Sequence, residues 1–356
     1  MIKKIKYKKL NRDEEGPKKA KSINYGLAIL KTILSLLVVK HHSFFPQTTK
    51  NRFILEFTKE RFIHVPSFFI MSFYFLTKHL LSLNPKILLN RFMRLLIPYV
   101  GWAFIILKIN HFFNIKFHQR LKESYSDLKI QLIWGACYVE QLWFLTDLMV
   151  YTLLFILIIF IFRKHCLFIL QLLLILSYIN QYNRYIYNNY FKKYPEYNKR
   201  TISYFFVSIP FAVTGFTLGY YKVLDILQKH KIKTLILSVI IYNFFVDYKI
   251  FTNTGFMAYQ GIELNIQCVC IIFIFCLFPS DKIKNKYLIK FLTIITNYTG
   301  GVFYLHLPIK KYFTIYFDSI RNHTFTGVIV IYLISYFICF VGMMIFGRTP
   351  LKYLFC

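Results

Sequence analysis

Long apolar blocks alternate with short polar segments along the chain, and most of those segments are basic. Measured against the ~20 residues a helix needs to cross a bilayer, the pattern predicts ten spans. They lie at roughly 23–44, 62–82, 92–110, 140–162, 166–180, 202–221, 234–251, 261–279, 291–313 and 325–346. The first apolar run, Ile23 to Phe45, is the most informative. It carries Lys31 deep in aliphatic sequence and a polar cluster, Lys40-His41-His42, near its end. At about 100° and ~1.5 Å per residue, Lys31 and His42 share one helix face to within ~20° and lie ~16 Å apart along it. Ionisable groups at membrane depth cost about 2.5–3.5 kcal/mol each, so a functional role is the default explanation. Lys40 is close enough to the helix end to snorkel to the interface.

Composition sharpens this picture. With 356 residues, 56% hydrophobic and 20% aromatic, and a mean hydropathy of +0.46, the chain is too apolar for a soluble domain. The expected fold is all-α, a polytopic membrane helix bundle of about ten transmembrane helices. The net charge of +30 does not imply nucleic acid, because the Lys and Arg residues fall mostly between apolar runs, where positive charge sets topology and meets anionic lipid. The loops after the even-numbered spans are basic, as in Lys222, Lys229, Lys231 and Lys233, or Lys282, Lys284, Lys286 and Lys290. Together with the basic amino terminus this predicts both termini in the cytosol. The expected layout is a basic cytosolic tail over 1–22, a transmembrane domain over 23–346 and a short cytosolic tail over 347–356. The first helix reads as an uncleaved signal anchor. Nothing chooses between plasma membrane and endomembrane. The seven cysteines lie mostly within or beside apolar runs, and no spacing pairs them with His as a metal site, so they read as small buried apolar residues.

Other candidate chemistry is sparse. Arg91 and Arg94, three residues apart where the third span begins, can jointly grip a phosphate or serve as a positive-inside anchor. On the fourth span, Glu140 and Asp147 flank Trp143 and are candidates to orient an imidazole or accept a sugar hydroxyl. Glu140 reads equally as a solvated flank, Asp147 as the structural partner of Lys31 or an arginine, and Trp143 as a lipid-belt residue. His306 is a candidate pocket residue near the end of the ninth span. Asn322-His-Thr324 is a glycosylation sequon. No Gly-rich phosphate loop, metal motif or Ser-His-Asp arrangement is legible, so neither a metal nor a tightly bound cofactor is implied.

Five pieces of sequence, in order from about residue 23 to 346, resemble the acyltransferase 3 family. They are Lys31-X10-His42; Val65-Pro-Ser-Phe-Phe-Ile-Met-Ser-Phe-Tyr74; Arg91-X-X-Arg94-Leu-Leu-Ile-Pro98-Tyr99; Leu142-Trp-Phe-Leu145; and Tyr304-Leu-His306. The resemblance implies an integral-membrane O-acyltransferase that moves an acyl group, commonly acetyl, from cytosolic acyl-CoA to a hydroxyl of a sugar, glycan or lipid-linked acceptor. On it, His42 matches the essential histidine, Lys31 the Arg or Lys ten residues ahead of it, and Arg91 and Arg94 the RXXR pair. The second span departs from the family, reading Ser72-Phe73-Tyr74 where Ser-Gly-Tyr is usual. A neutral imidazole suits the base that acyl transfer to a hydroxyl requires, and Lys31 suits a coenzyme A phosphate or a developing oxyanion. The partners implied are acyl-CoA, a carbohydrate or lipid-linked acceptor and the bilayer. The alternative readings are a transporter or exporter of glycans or lipid-linked sugars, and a catalytically inactive relative.

Overall fold

Asparagine caps start three of the helices that matter most. Asn24 Oδ1 accepts from the Leu27 amide at 3.1 Å, Asn84 Oδ1 from Ile87 at 3.3 Å, and Asn285 Oδ1 from Tyr287 and Leu288 at 2.9 and 3.1 Å. Each satisfies amides that the first turn of a helix leaves open. In the computed structural model, residues 24–43, 63–112, 142–191, 201–252, 261–278, 285–313 and 325–356 are described. Among them the chain is all-helical, with no strand. The long helices are α1 (Tyr25–Ser43), α2 (His64–Ser82), α3 (Pro85–Phe112), α4 (Trp143–Phe162), α5 (Cys166–Phe191), α6 (Thr201–Tyr220), α7 (Lys231–Thr252), α8 (Ile262–Cys276), α9 (Lys286–Phe313) and α10 (Phe325–Phe346). A one-turn helix, Val223–Leu227, and a 3₁₀ turn, Pro350–Leu354, complete the described elements used below.

These helices follow the apolar blocks, with two informative differences. The third helix begins at Pro85, ahead of the expected 92, because Asn84 caps it and proline suits the first helical position. The fifth runs from Cys166 to Phe191, past the expected 180, since its polar second half continues the helix after the apolar pattern stops. Three stretches are long and apolar enough to cross a membrane: Trp143–Asn183, Lys286–Lys310 and Phe325–Phe346. The first is 41 residues, about 62 Å if it were one straight helix, twice the ~30 Å hydrocarbon core. Arg163, at φ +37°, breaks it between α4 and α5. The outward surface is strongly apolar: Phe160 is 63% exposed, Phe337 66% and Met344 72%. Water would penalise such a surface, and lipid would not. The protein is an integral membrane protein.

The core is organised around α1 and α2. Helix α1 packs against α2, α8, α9 and α10, and α2 makes its most extensive contact with α6. That contact depends on Gly215 and Gly219, one turn apart on α6. A Cβ at Gly215 would stand 2.2 Å from the Ile70 carbonyl oxygen, and one at Gly219 would stand 2.7 Å from that of Tyr74. The spacing is the small-residue pattern by which membrane helices bring their backbones together. Hydroxyls tie α1 to α10: Tyr332 donates to the Thr32 carbonyl at 2.9 Å and lies 2.9 Å from Ser35 Oγ. Cys166, Cys268, Cys270, Cys276 and Cys339 are buried and free, as small apolar residues would be.

Candidate active site

The carboxy-terminal end of α1, the start of α2 and the later part of α9 meet in a group of histidines. The His42 ring lies 4.9 Å from that of His41 and 5.2 Å from that of His306, and His41 lies 5.4 Å from His64. His306 is fully buried. Its Nδ1 sits 3.3 Å from the Val302 carbonyl. A carbonyl oxygen only accepts, so Nδ1 carries the proton and the neutral ring keeps Nε2 as its basic nitrogen. Among the described residues that Nε2 is buried with no hydrogen-bond partner. One turn further along α9, Lys310 donates to the backbone carbonyl of His42. This carbonyl is one of the four that a helix end leaves unsatisfied, and a cation there also complements the helix dipole. Residues on α9 therefore touch both the ring and the backbone of His42.

A second group, of cations, lies along the same helices. Lys31 and Arg91 are partly buried and within electrostatic reach of one another. Arg91 donates to the Ser72 hydroxyl and faces Tyr304, while its Nε is buried without a partner among the described residues. Among the described residues neither cation draws on a carboxylate. Two like charges held this way favour an anion or a developing negative charge between them. Tyr304 is two residues before His306 on α9, so that helix contributes to both groups.

The remaining sequence candidates fall in different places. Arg94 turns away from Arg91 onto an exposed face, where its guanidinium sits 5.5 Å from the Tyr353 ring centre. Trp143 belongs to an aromatic wall beside the histidines: its ring is 6.3 Å from Phe69, Phe144 is 5.3 Å from Phe303, and Phe303 is 6.1 Å from His306. Asp147 accepts from Tyr151 at 3.4 Å and from Ser208, which links α4 to α6. Lys40 is 6% exposed, buried at the end of α1. Glu140, Cys137, the amino-terminal tail and the Asn322 sequon lie outside the described residues. Phe73 turns its ring toward α4, 4.8 Å from Phe155 and 6.4 Å from Tyr151. The bulky departure thus fills the α2–α4 contact, while its neighbour Ser72 faces Arg91.

The sequence reading did not single out His64, Lys310 or the Ser72–Arg91 contact. Lys310 had a legible signal: it follows His306 by four residues, one helical turn on the same face. His64 had none, because its place beside His41 depends on how α1 and α2 pack.

A family model described as an acyltransferase domain matches residues 24–348. The chain belongs to the acyltransferase 3 family. The match takes in every helix described above except the closing turn at Pro350–Leu354, and membership makes this protein a membrane acyltransferase. No curated protein and no solved structure matches the chain.

Proposed function

We propose that this acyltransferase is an O-acyltransferase that carries an acyl group, most simply acetyl, from cytosolic acyl-CoA to a hydroxyl of a sugar, glycan or lipid-linked acceptor on the opposite side of the membrane. The ten long helices are its ten spans, and both termini are cytosolic. The observation that carries the reading is the position of His42, held through its carbonyl by Lys310 and faced by the His306 ring, in a chain that matches the family almost end to end.

In this mechanism the His42 imidazole takes the proton of the acceptor hydroxyl as that oxygen attacks the thioester carbonyl. The carbonyl electron pair moves to oxygen, and Lys31 and Arg91 stabilise the resulting oxyanion or the donor phosphates. Collapse restores the carbonyl, breaks the carbon–sulfur bond and sends the proton from His42 to the departing thiolate. The products are the acyl ester and free CoA. Purified protein in lipid, given acetyl-CoA and a mixed glycan pool, is expected to release CoA only when acceptor is present. A His42→Ala variant that inserts normally is expected to release none; an active variant sinks His42 as the base.

A further inference from the structure

We propose that the turn Pro350–Leu354 completes the donor site, with Lys352 and Tyr353 holding the phosphorylated nucleotide end of acyl-CoA against Arg94; this rests on the donor reading above. The turn is firmly seated. The Trp102 indole donates to the Leu354 carbonyl at 2.8 Å. Phe355 stacks on Phe346 at 5.8 Å and meets Trp102 edge-on at 6.0 Å. The seat exists because α9 and α10 have no side chain there: a Cβ at Gly301 would stand 2.7 Å from the Phe355 carbonyl oxygen, and one at Gly342 would stand 2.4 Å from the Phe355 ring. Leu354 and Phe355 are buried. Lys352 and Tyr353, fixed by these neighbours, remain partly open to solvent beside the exposed Arg94.

The chemistry of this corner suits an adenine nucleotide. Arg94 and Lys352 place their cations 5.5 and 5.4 Å from the Tyr353 ring centre. The Tyr353 hydroxyl donates to Asn90 Oδ1 at 3.3 Å, which leaves the Asn90 amide nitrogen with two donors for a ligand. Two cations gathered at the Tyr353 ring match a phosphomonoester, and an asparagine amide positioned by the Tyr353 hydroxyl reads a purine edge. Arg91, one turn from Arg94, points inward to Ser72. A donor anchored at this corner is thereby aimed from the surface into the bundle. A phospholipid headgroup shares the phosphate chemistry but has no purine for the amide.

The test is equilibrium binding of adenosine 3′,5′-bisphosphate and of adenosine 5′-monophosphate to the full chain in neutral-lipid nanodiscs. Wild type is expected to bind the bisphosphate more tightly. Lys352→Ala is expected to weaken the bisphosphate about fivefold with little effect on the monophosphate, and Lys352→Arg is expected to retain binding. Tyr353→Ala is expected to weaken both. Unchanged bisphosphate affinity in Lys352→Ala and Tyr353→Ala overturns this inference alone, as does an equal loss for both nucleotides in Lys352→Ala. Variants that lose affinity only for anionic vesicles overturn it in favour of a lipid site. A wild-type protein that binds neither nucleotide overturns it together with the donor reading beneath it.

Discussion

Two polar contacts between helices set ionisable groups inside this apolar bundle, and they are finished differently. Between α4 and α6, the Asp147 carboxylate takes hydrogen bonds from Tyr151 and Ser208, so protein groups meet its need. Between α1 and α9, Lys310 satisfies the His42 backbone, but among the described residues His306 keeps a buried, unpartnered Nε2, and Arg91 on α3 keeps an unpartnered Nε. A buried polar atom without a partner costs about 1–3 kcal/mol. Folding alone does not favour leaving either of them unpaired. The closed contact is structural, and the open one fits a site whose remaining partners are substrates.

Replacement at each contact breaks or sharpens this contrast. The largest effect is expected at His42, where Ala should abolish detectable acyl transfer, with membrane insertion and thermal unfolding close to wild type. Arg91→Ala should cost about a hundredfold in kcat/KM, and Arg91→Lys should recover part of it; steady-state kinetics with acetyl-CoA would show this. His306→Ala, which removes a ring beside the base without removing the base, should lower kcat about tenfold with KM for the donor little changed. Asp147→Asn should leave transfer within about threefold of wild type but destabilise the protein by ~1–3 kcal/mol, seen as a lower unfolding midpoint in detergent. If Asp147→Asn abolished transfer in a normally stable protein, the contact between α4 and α6 would join the active site and the contrast would fail.

The parts of this arrangement that repeat along one helix were legible in the sequence. The eleven-residue step from Lys31 to His42 fixed a shared face, and the apolar blocks located the helices. The asparagine caps at 84 and 285 account for starts that hydropathy placed too late, because capping is a property of single residues that a window averages away. Arg91 and Arg94 read from spacing as a pair able to grip one phosphate jointly, and the three-residue step sets them ~60° apart on the helix. One therefore meets α2, and the other meets a turn some 260 residues further along the chain. The approach of His64 to His41, the Tyr151–Ser208 environment of Asp147 and the seat beneath Phe355 all join residues distant in sequence. Their geometry is set by packing, which no local pattern encodes. Phe73 illustrates the same limit: only the α2–α4 contact shows that its ring occupies the core and stays off the side of Ser72.

The most direct test is acceptor-dependent release of CoA from acetyl-CoA, measured side by side for wild type, His42→Ala and Asp147→Asn in lipid. The account predicts release by wild type and Asp147→Asn and none by His42→Ala. Release by His42→Ala at the wild-type rate would contradict it.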